Sequence, residues 1–324
     1  MFFAKIAYKC LNRKLLIKYM ENKDYRVVLV IGNGFDLDLG LKTKYNDYMN
    51  SDYFDRAHSI SAYVHSDKKG VNLFNYLKEK ASDNHNWIDI EKELADFAIV
   101  RKRPATDLEK KSFFALQSSL CSYIKDINYQ HIDSSSKAIR LLKILKEYPL
   151  LNIISFNYTN LKRLEPQIGA IKAPIDYVHG SVLDNSIILG FEDTLEIHEG
   201  FSFMIKTFSS YYKSHNVRKK LLDADEIIFF GHSLGKVDYH YFEDLFKYQS
   251  QPERANQKLR LRIFTKDENS RISILLRLRE MNNKRTDLLY DLCDFKIYKT
   301  ENDGKEIEQY FHELKERLTD LENG

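Results

Sequence analysis

The sequence predicts an α/β fold: a mainly parallel sheet covered by helices on both faces, with a large helical insertion after the first strand–helix unit. Three observations carry this prediction. The β-branched run 27–31 stops at a glycine turn, Gly32-Asn33-Gly34, and an acidic–apolar helical pattern follows. Residues 53–147 then read as helix with no second strand among them. From residue 151 onward, short apolar runs alternate with helical ones, the pattern that builds a parallel sheet covered on both sides.

The elements follow in order. The first helix is expected at 35–48. Within the insertion, Ile88, Ile90, Leu94 and Phe97 recur at helical spacing with acids between them, and 111–127 and 137–148 repeat the pattern. The strands expected next are 151–156, 175–180, 186–191, 226–231, 259–265 and 293–299. The helices expected between and after them are 201–222, 239–248, 268–281 and 305–321. Residues 1–25 read as an N-terminal extension and 26–324 as one domain.

Composition narrows the function classes. The chain has 324 residues, 43% of them hydrophobic, and five prolines, which describes a folded globular protein. Its 50 basic and 47 acidic residues leave a net charge of +3, so composition does not argue for nucleic-acid binding. The basic clusters 101–103 and 218–220 read as solvated helix faces, with a partner-binding patch as the alternative. Cys10, Cys121 and Cys293 form no CxxC pair, which excludes a cysteine zinc ribbon and fits a reducing, cytoplasmic setting. No apolar run approaches the ~20 residues that span a bilayer. The first twenty residues are basic and loosely amphipathic, but lysines interrupt them too often for a signal peptide. Surface association with a membrane and a plain helical extension both remain open for them, and Met20 is an alternative start.

Four expected strands end in polar clusters: Gly32-Asn33-Gly34-Phe35-Asp36, Ser155-Phe156-Asn157-Tyr158-Thr159, His179-Gly180 and Gly231-His232-Ser233-Leu234-Gly235. In a parallel sheet these ends converge on one edge, where ligands bind. A glycine turn opening a helix is the arrangement that aims backbone N–H groups at a phosphate, and glycine permits both a positive φ and a close ligand approach. The turn is not the GxGxxG of dehydrogenases, because Leu37 holds the third glycine's place and no acidic second strand follows. Gly231-His232-Ser233-Leu234-Gly235 fits the GxSxG nucleophile elbow of serine hydrolases. However, no histidine stands after the last strand, so Ser233 is expected to cap a helix or bond a phosphate or ribose instead. His179 is placed to act as a general base near pH 7, or else to bond a backbone carbonyl. Asn157 needs its amide satisfied by loops or by ligand. Asp36 either caps the turn or holds ribose hydroxyls. Trp87 and Glu91 either pack in the core or line the cleft. The histidines show no HExxH or comparable spacing, so no metal is expected.

Five blocks in this order resemble the AbiH family of bacterial phage-abortive-infection proteins: residues 31–45 (IGNGFDLDLGLKTKY), 87–94 (WIDIEKEL), 155–160 (SFNYTN), 178–180 (VHG) and 231–242 (GHSLGKVDYHYF). The same blocks look more distantly like the sirtuin NAD-binding fold, in the spacing of Gly32, Gly34, Gly40 and Leu41, in Asn157, in His179-Gly180 and in the GTSL-like 231–234. That resemblance implies a Rossmann-like, mainly parallel sheet of the sirtuin type. It implies Asn157 and His179 as catalytic residues and Gly32, Asn33, Gly34, Phe35, Asp36, Gly40, Thr43, Gly231, His232 and Ser233 as cofactor-binding. The sirtuin zinc module has no counterpart, and 42–45 (Lys-Thr-Lys-Tyr) replaces the loop that sirtuins carry there. The implied activity is therefore cleavage of NAD to nicotinamide and ADP-ribose, with NAD as substrate. The alternatives are a nucleotide sensor without turnover and a nucleic-acid effector. A phage-borne trigger and a homo-oligomer are the implied partners.

Overall fold

The structure is a computed structural model that describes residues 25–64, 70–83 and 89–323. The N-terminal extension through residue 24, and Trp87 and Ile88 with the start of their block, lie outside the described residues. Six strands form one sheet: β1 (Val27–Ile31), β2 (Leu151–Ser155), β3 (Ile175–Tyr177), β4 (Glu226–Phe230), β5 (Arg260–Thr265) and β6 (Asp294–Lys299). Every pairing is parallel, in the order β3-β2-β1-β4-β5-β6. The strand order reverses between β1 and β4, the position where open α/β sheets bind ligands.

β1 is central and buried on both faces, as its unbroken apolar run requires. Val27, Leu29 and Ile31 face one core and Val28 and Val30 the other. The first core is covered by α1 (Asn33–Asp38), α2 (Tyr45–Met49), α3 (Asp52–Val64), α4 (Leu73–Asp83), α5 (Ile90–Ile99), α6 (Asp107–Lys125) and α7 (Lys137–Leu145), together with the C-terminal helix (Gly304–Asn323). The second is covered by the helices Val217–Leu222, Tyr239–Gln249, Glu268–Met281 and Asp287–Leu292. The helical insertion therefore forms most of one layer. No described helix is long and apolar enough to cross a membrane.

Several expected elements differ. The single helix expected at 35–48 is two, because Gly40 adopts φ +80 and ends α1. α6 starts at Asp107, earlier than expected, because Thr106 and Glu109 form a reciprocal capping box. The strand expected at 186–191 is not one. Ile187, Ile188, Leu189 and Phe191 are buried as that run suggests, but apart from an isolated bridge between Phe191 and Ile205 they join no ladder. Gly190, at φ +141, bends the chain against Met204, where a Cβ would stand 2.0 Å from the carbonyl oxygen. The helix expected at 201–222 survives only as Val217–Leu222. Two 3₁₀ turns (Glu199–Met204 and Lys206–Phe208) precede it, and Asn216 at φ 52 breaks the run.

At the amino edge of the sheet, buried Glu226 accepts hydrogen bonds from the Tyr25 hydroxyl (2.9 Å) and the Tyr310 hydroxyl (2.8 Å) and pairs with Arg317 at 3.2 Å. One carboxylate thus fastens the start of β1 and the C-terminal helix to β4.

Candidate functional site

The four polar strand ends do converge at the carboxyl edge, and the two glycine turns touch. The Gly32 N–H donates to the Phe230 carbonyl (3.1 Å) and the Gly34 N–H to the Gly231 carbonyl (2.8 Å). A Cβ on Gly32 would lie 2.5 Å from the His232 Cα, and one on Gly34 2.6 Å from the Gly231 Cα. Gly32 is extended (φ −121), and neither it nor Gly34 has a positive φ; Gly231 does, at φ +64. The sequence-based rationale is corrected here. These glycines are required because two backbone turns press on each other, and the N–H groups expected to face a phosphate are spent on the neighbouring turn.

Beside this contact runs an open groove of about 1140 Å³, lined by Gly34, Gly40, Gly231, His232 and Ser233 among others. The remaining residues expected to bind a cofactor lie elsewhere. Phe35 is fully buried and packs edge-to-face on Phe230 at 5.5 Å, so it is a core residue. Asn33 is exposed and accepts a hydrogen bond from the Thr43 hydroxyl at 2.6 Å. Ser233 is exposed and caps nothing: the turn Lys236–Asp238 is capped by the Gly235 backbone, without a side-chain bond.

Asn157 and Asp36 form the first buried pair. The Asn157 amide donates to the Gly32 carbonyl at 3.0 Å and also bonds the Asp36 carboxylate, which accepts from the Thr159 hydroxyl at 2.9 Å. Both amide partners are acceptors, so the amide nitrogen must face them. The oxygen Oδ1 is what Asn157 has left to offer a ligand. Burial pushes the Asp36 carboxyl up to about 7, against the lowering effect of its bonds to Thr159 and Asn157.

An unfolded aspartate titrates near about 3.9, so native Asp36 binds more protons than the unfolded chain between roughly pH 4 and 7. Its contribution to stability is complete below that window and is lost as pH rises through about 7. Three pKa units correspond to roughly 4 kcal/mol. Asp36→Asn, which does not titrate, is therefore expected to gain stability relative to the unmodified protein as pH rises from about 5 to 8. Urea unfolding across that range checks this; a difference that does not vary with pH would count against it.

A second buried group centres on Asp238. Its two oxygens lie 3.4 Å from His179 Nε2 and 3.5 Å from His232 Nε2. His232 Nδ1 accepts the Leu234 N–H at 3.0 Å, so a neutral His232 carries its proton on Nε2, toward Asp238. That bond also holds Leu234 at φ 50, a conformation leucine seldom adopts. Burial would raise the Asp238 carboxyl, but the facing imidazoles of His179 and His232 and the charge of Lys206 hold it well below the usual carboxylate range.

The ammonium of Lys206 is buried, 3.0 Å from Glu91 Oε2, 3.3 Å from His179 Nε2 and 3.7 Å from Glu192 Oε1. Burial opposes its charge, yet Glu91, Asp238 and Glu192 together raise its pKa above the ordinary lysine value. Burial lifts Glu192 to about 7 even though Lys206 pulls it down. Glu91 also accepts from the Tyr158 hydroxyl at 2.9 Å, so this helical-layer residue is a buried ion-pair partner rather than apolar packing. His179, Glu192 and Asp238 offer metal-ligating atoms within 4.8 Å of one another, a trio that sequence spacing could not reveal. The Lys206 ammonium already supplies positive charge among them, so the donor set reads as a cage for that cation.

Sequence reasoning thus placed Asn157, His179 and His232 at this edge but missed Asp238, Lys206 and Glu192. Asp238 stood in view within the 231–242 block, as a carboxylate shortly after a polar strand end. Lys206 and Glu192 come from the irregular 191–208 stretch, which carries no periodic signal.

A parallel sheet with a groove at its order reversal and a buried acid–histidine cluster beside it defines a Rossmann-like α/β protein with a candidate site at the carboxyl edge. The chain belongs to the family described as bacteriophage abortive infection AbiH, which matches residues 28–257, a stretch that contains every member of the cluster. No curated protein matches the chain.

Proposed function

We propose that this abortive-infection protein hydrolyses NAD to ADP-ribose and nicotinamide at the Asn157–His179 corner of the carboxyl edge, as the sirtuin-like spacing of the blocks suggests. The observation that carries the reading is His179 held against Asp238, beside an Asn157 whose amide nitrogen is already committed. His179 Nε2 faces both the Lys206 ammonium at 3.3 Å and Asp238 Oδ1 at 3.4 Å, and the Asp238 carboxylate would stabilise the imidazolium that forms when His179 takes a proton. Asn157 Oδ1 accepts a hydrogen bond from a ribose hydroxyl or from the attacking water. The bond between ribose C1′ and the nicotinamide nitrogen breaks, and its electron pair leaves with neutral nicotinamide. Water adds to C1′, and His179 takes the proton that water gives up.

A positioned base contributes typically about 10²–10⁴-fold. His179→Ala is therefore expected to lose nicotinamide release by at least about 10²-fold, followed by chromatography with purified protein and NAD, with and without phage lysate. Release retained in the variant would rule out this role for His179.

One observation favours a second reading. Asn157 and His179 are only 7% and 6% exposed, so a bound nucleotide reaches them only if the edge opens. A nucleotide sensor without turnover fits a closed edge: NAD would raise the unfolding midpoint and be recovered intact.

A further inference from the structure

The groove between the β1 and β4 turns and the ends of β5 and β6 is open, whereas the acid–histidine cluster beside it is buried. His232 belongs to both: it lines the groove and faces Asp238. A ligand whose reacting end enters the cluster past His232 would leave its remainder in the groove. The glycine turns cannot receive a diphosphate there through Gly34, because that N–H is bonded to the Gly231 carbonyl. The charge must be met by side chains.

Four lysines line the groove: Lys42, Lys44, Lys137 and Lys266. Lys42 and Lys44 form no ion pair with any described residue, Lys137 stands close enough to Asp38, Asp133 and Glu308 for its charge to act on their carboxyls, and Lys266 has an exposed partner, Glu301, at 3.5 Å. The other two acids of the lining are engaged with backbone. Asp47 accepts the Lys44 N–H at 3.1 Å, and Asp38 accepts the Ala138 N–H at 2.8 Å. The lining thus carries four ammonium groups against three carboxylates, and Lys42 and Lys44 have no ion-pair partner among the described residues, so an anion with several oxygens would meet an excess of positive charge.

We propose that Lys42, Lys44, Lys137 and Lys266 form a diphosphate-binding site for a dinucleotide, taking the part that backbone N–H groups take in glycine-turn sites. This rests on the nucleotide reading above. The lysines come from the segment after α1, from the start of α7 and from the end of β5, so the helical layer and the sheet hold the ligand jointly.

The test measures binding of ADP-ribose and of inorganic pyrophosphate to the full chain by calorimetry. The four-fold variant Lys42→Gln, Lys44→Gln, Lys137→Gln, Lys266→Gln is compared with a charge-matched control, Lys102→Gln, Lys111→Gln, Lys296→Gln, Lys315→Gln. Each groove substitution is expected to weaken binding about threefold and the four together on the order of 100-fold, with the control unchanged. ADP-ribose binding unaffected by the groove variant would overturn the proposal while leaving the nucleotide reading intact. Equal loss in the control would overturn it as non-specific charge attraction. Lysine-dependent binding of pyrophosphate with none of ADP-ribose would support the diphosphate site and remove the dinucleotide. Binding of neither would end both. A single-stranded oligonucleotide that displaces ADP-ribose with the same lysine dependence would overturn the proposal in favour of nucleic acid.

Discussion

Asp238→Asn is expected to lower stability by about 3 kcal/mol and to reduce nicotinamide release by about 10²-fold or more. The two effects share one origin. Asp238 is the anion facing His179 and His232, and it helps to hold Lys206 charged. Asparagine keeps the shape but removes the charge, leaving a buried ammonium with less compensation. It also replaces the anion facing His179 Nε2 with a neutral amide, which removes the charge that would stabilise a protonated His179. Glu192 supplies a separate readout. The negative charge of Asp238 is one of the influences that keep its carboxyl near 7, after burial itself, so the variant should titrate Glu192 closer to an ordinary glutamate. Denaturant unfolding measures the stability loss and carboxyl-edited NMR the titration. A variant as stable as the parent, with Glu192 unmoved, would show that Asp238 is not the hub of the cluster.

Gly231→Ala is the second large effect. Gly231 sits at φ +64, and a Cβ there would stand 2.3 Å from both Gly34 C and Phe35 N. Those are backbone atoms, so no rotamer change relieves the collision. The methyl group is admitted only by parting the β1 and β4 turns, which breaks the Gly34-to-Gly231 hydrogen bond. Left-handed strain of roughly 1–2 kcal/mol and overpacking of about 1–3 kcal/mol combine to a loss of roughly 2–5 kcal/mol. Gly40→Ala isolates the strain alone: φ is +80 there, but nothing lies within 4 Å of the added methyl. Its loss should be about 1–2 kcal/mol. Equal urea midpoints for the two variants would mean that the turns do not press on each other.

These residues also show what the amino-acid pattern could convey. The strand ends were legible because an apolar run that stops at Gly32, Asn157, His179 or Gly231 marks both an element and its carboxyl end. From a parallel sheet, convergence of those ends follows by geometry. The glycine turns were located correctly but for a different reason, since a sequence does not say whether a missing Cβ makes room for a ligand or for another backbone. The 186–191 segment differs because burial produces the same apolar run whether or not a ladder forms, and 201–222 because its spacing does not show the 3₁₀ turns and the break at Asn216. Gly190 and Asn216 override the local preference through single dihedrals. Lys206 reaches His179 only through that irregular stretch, so no spacing rule could pair them. The AbiH assignment is carried by the matched stretch 28–257.

The position of the helical layer also bears on how the chain is made. β1 is the central strand, yet both of its partners, β2 and β4, lie far downstream. β2 follows β1 by about 120 residues, which at roughly 5–20 residues per second is on the order of 6–24 s of translation. For that interval Val27–Ile31 is an apolar strand with neither edge paired, and only the nascent helices α1 to α7 can shelter it. Final closure waits longer still, for β4 to emerge. The part of the molecule that brings Glu91 to the cluster is thus also the first shield of its central strand. Loosening that layer should show itself in aggregation during synthesis before it shows in the stability of the finished protein.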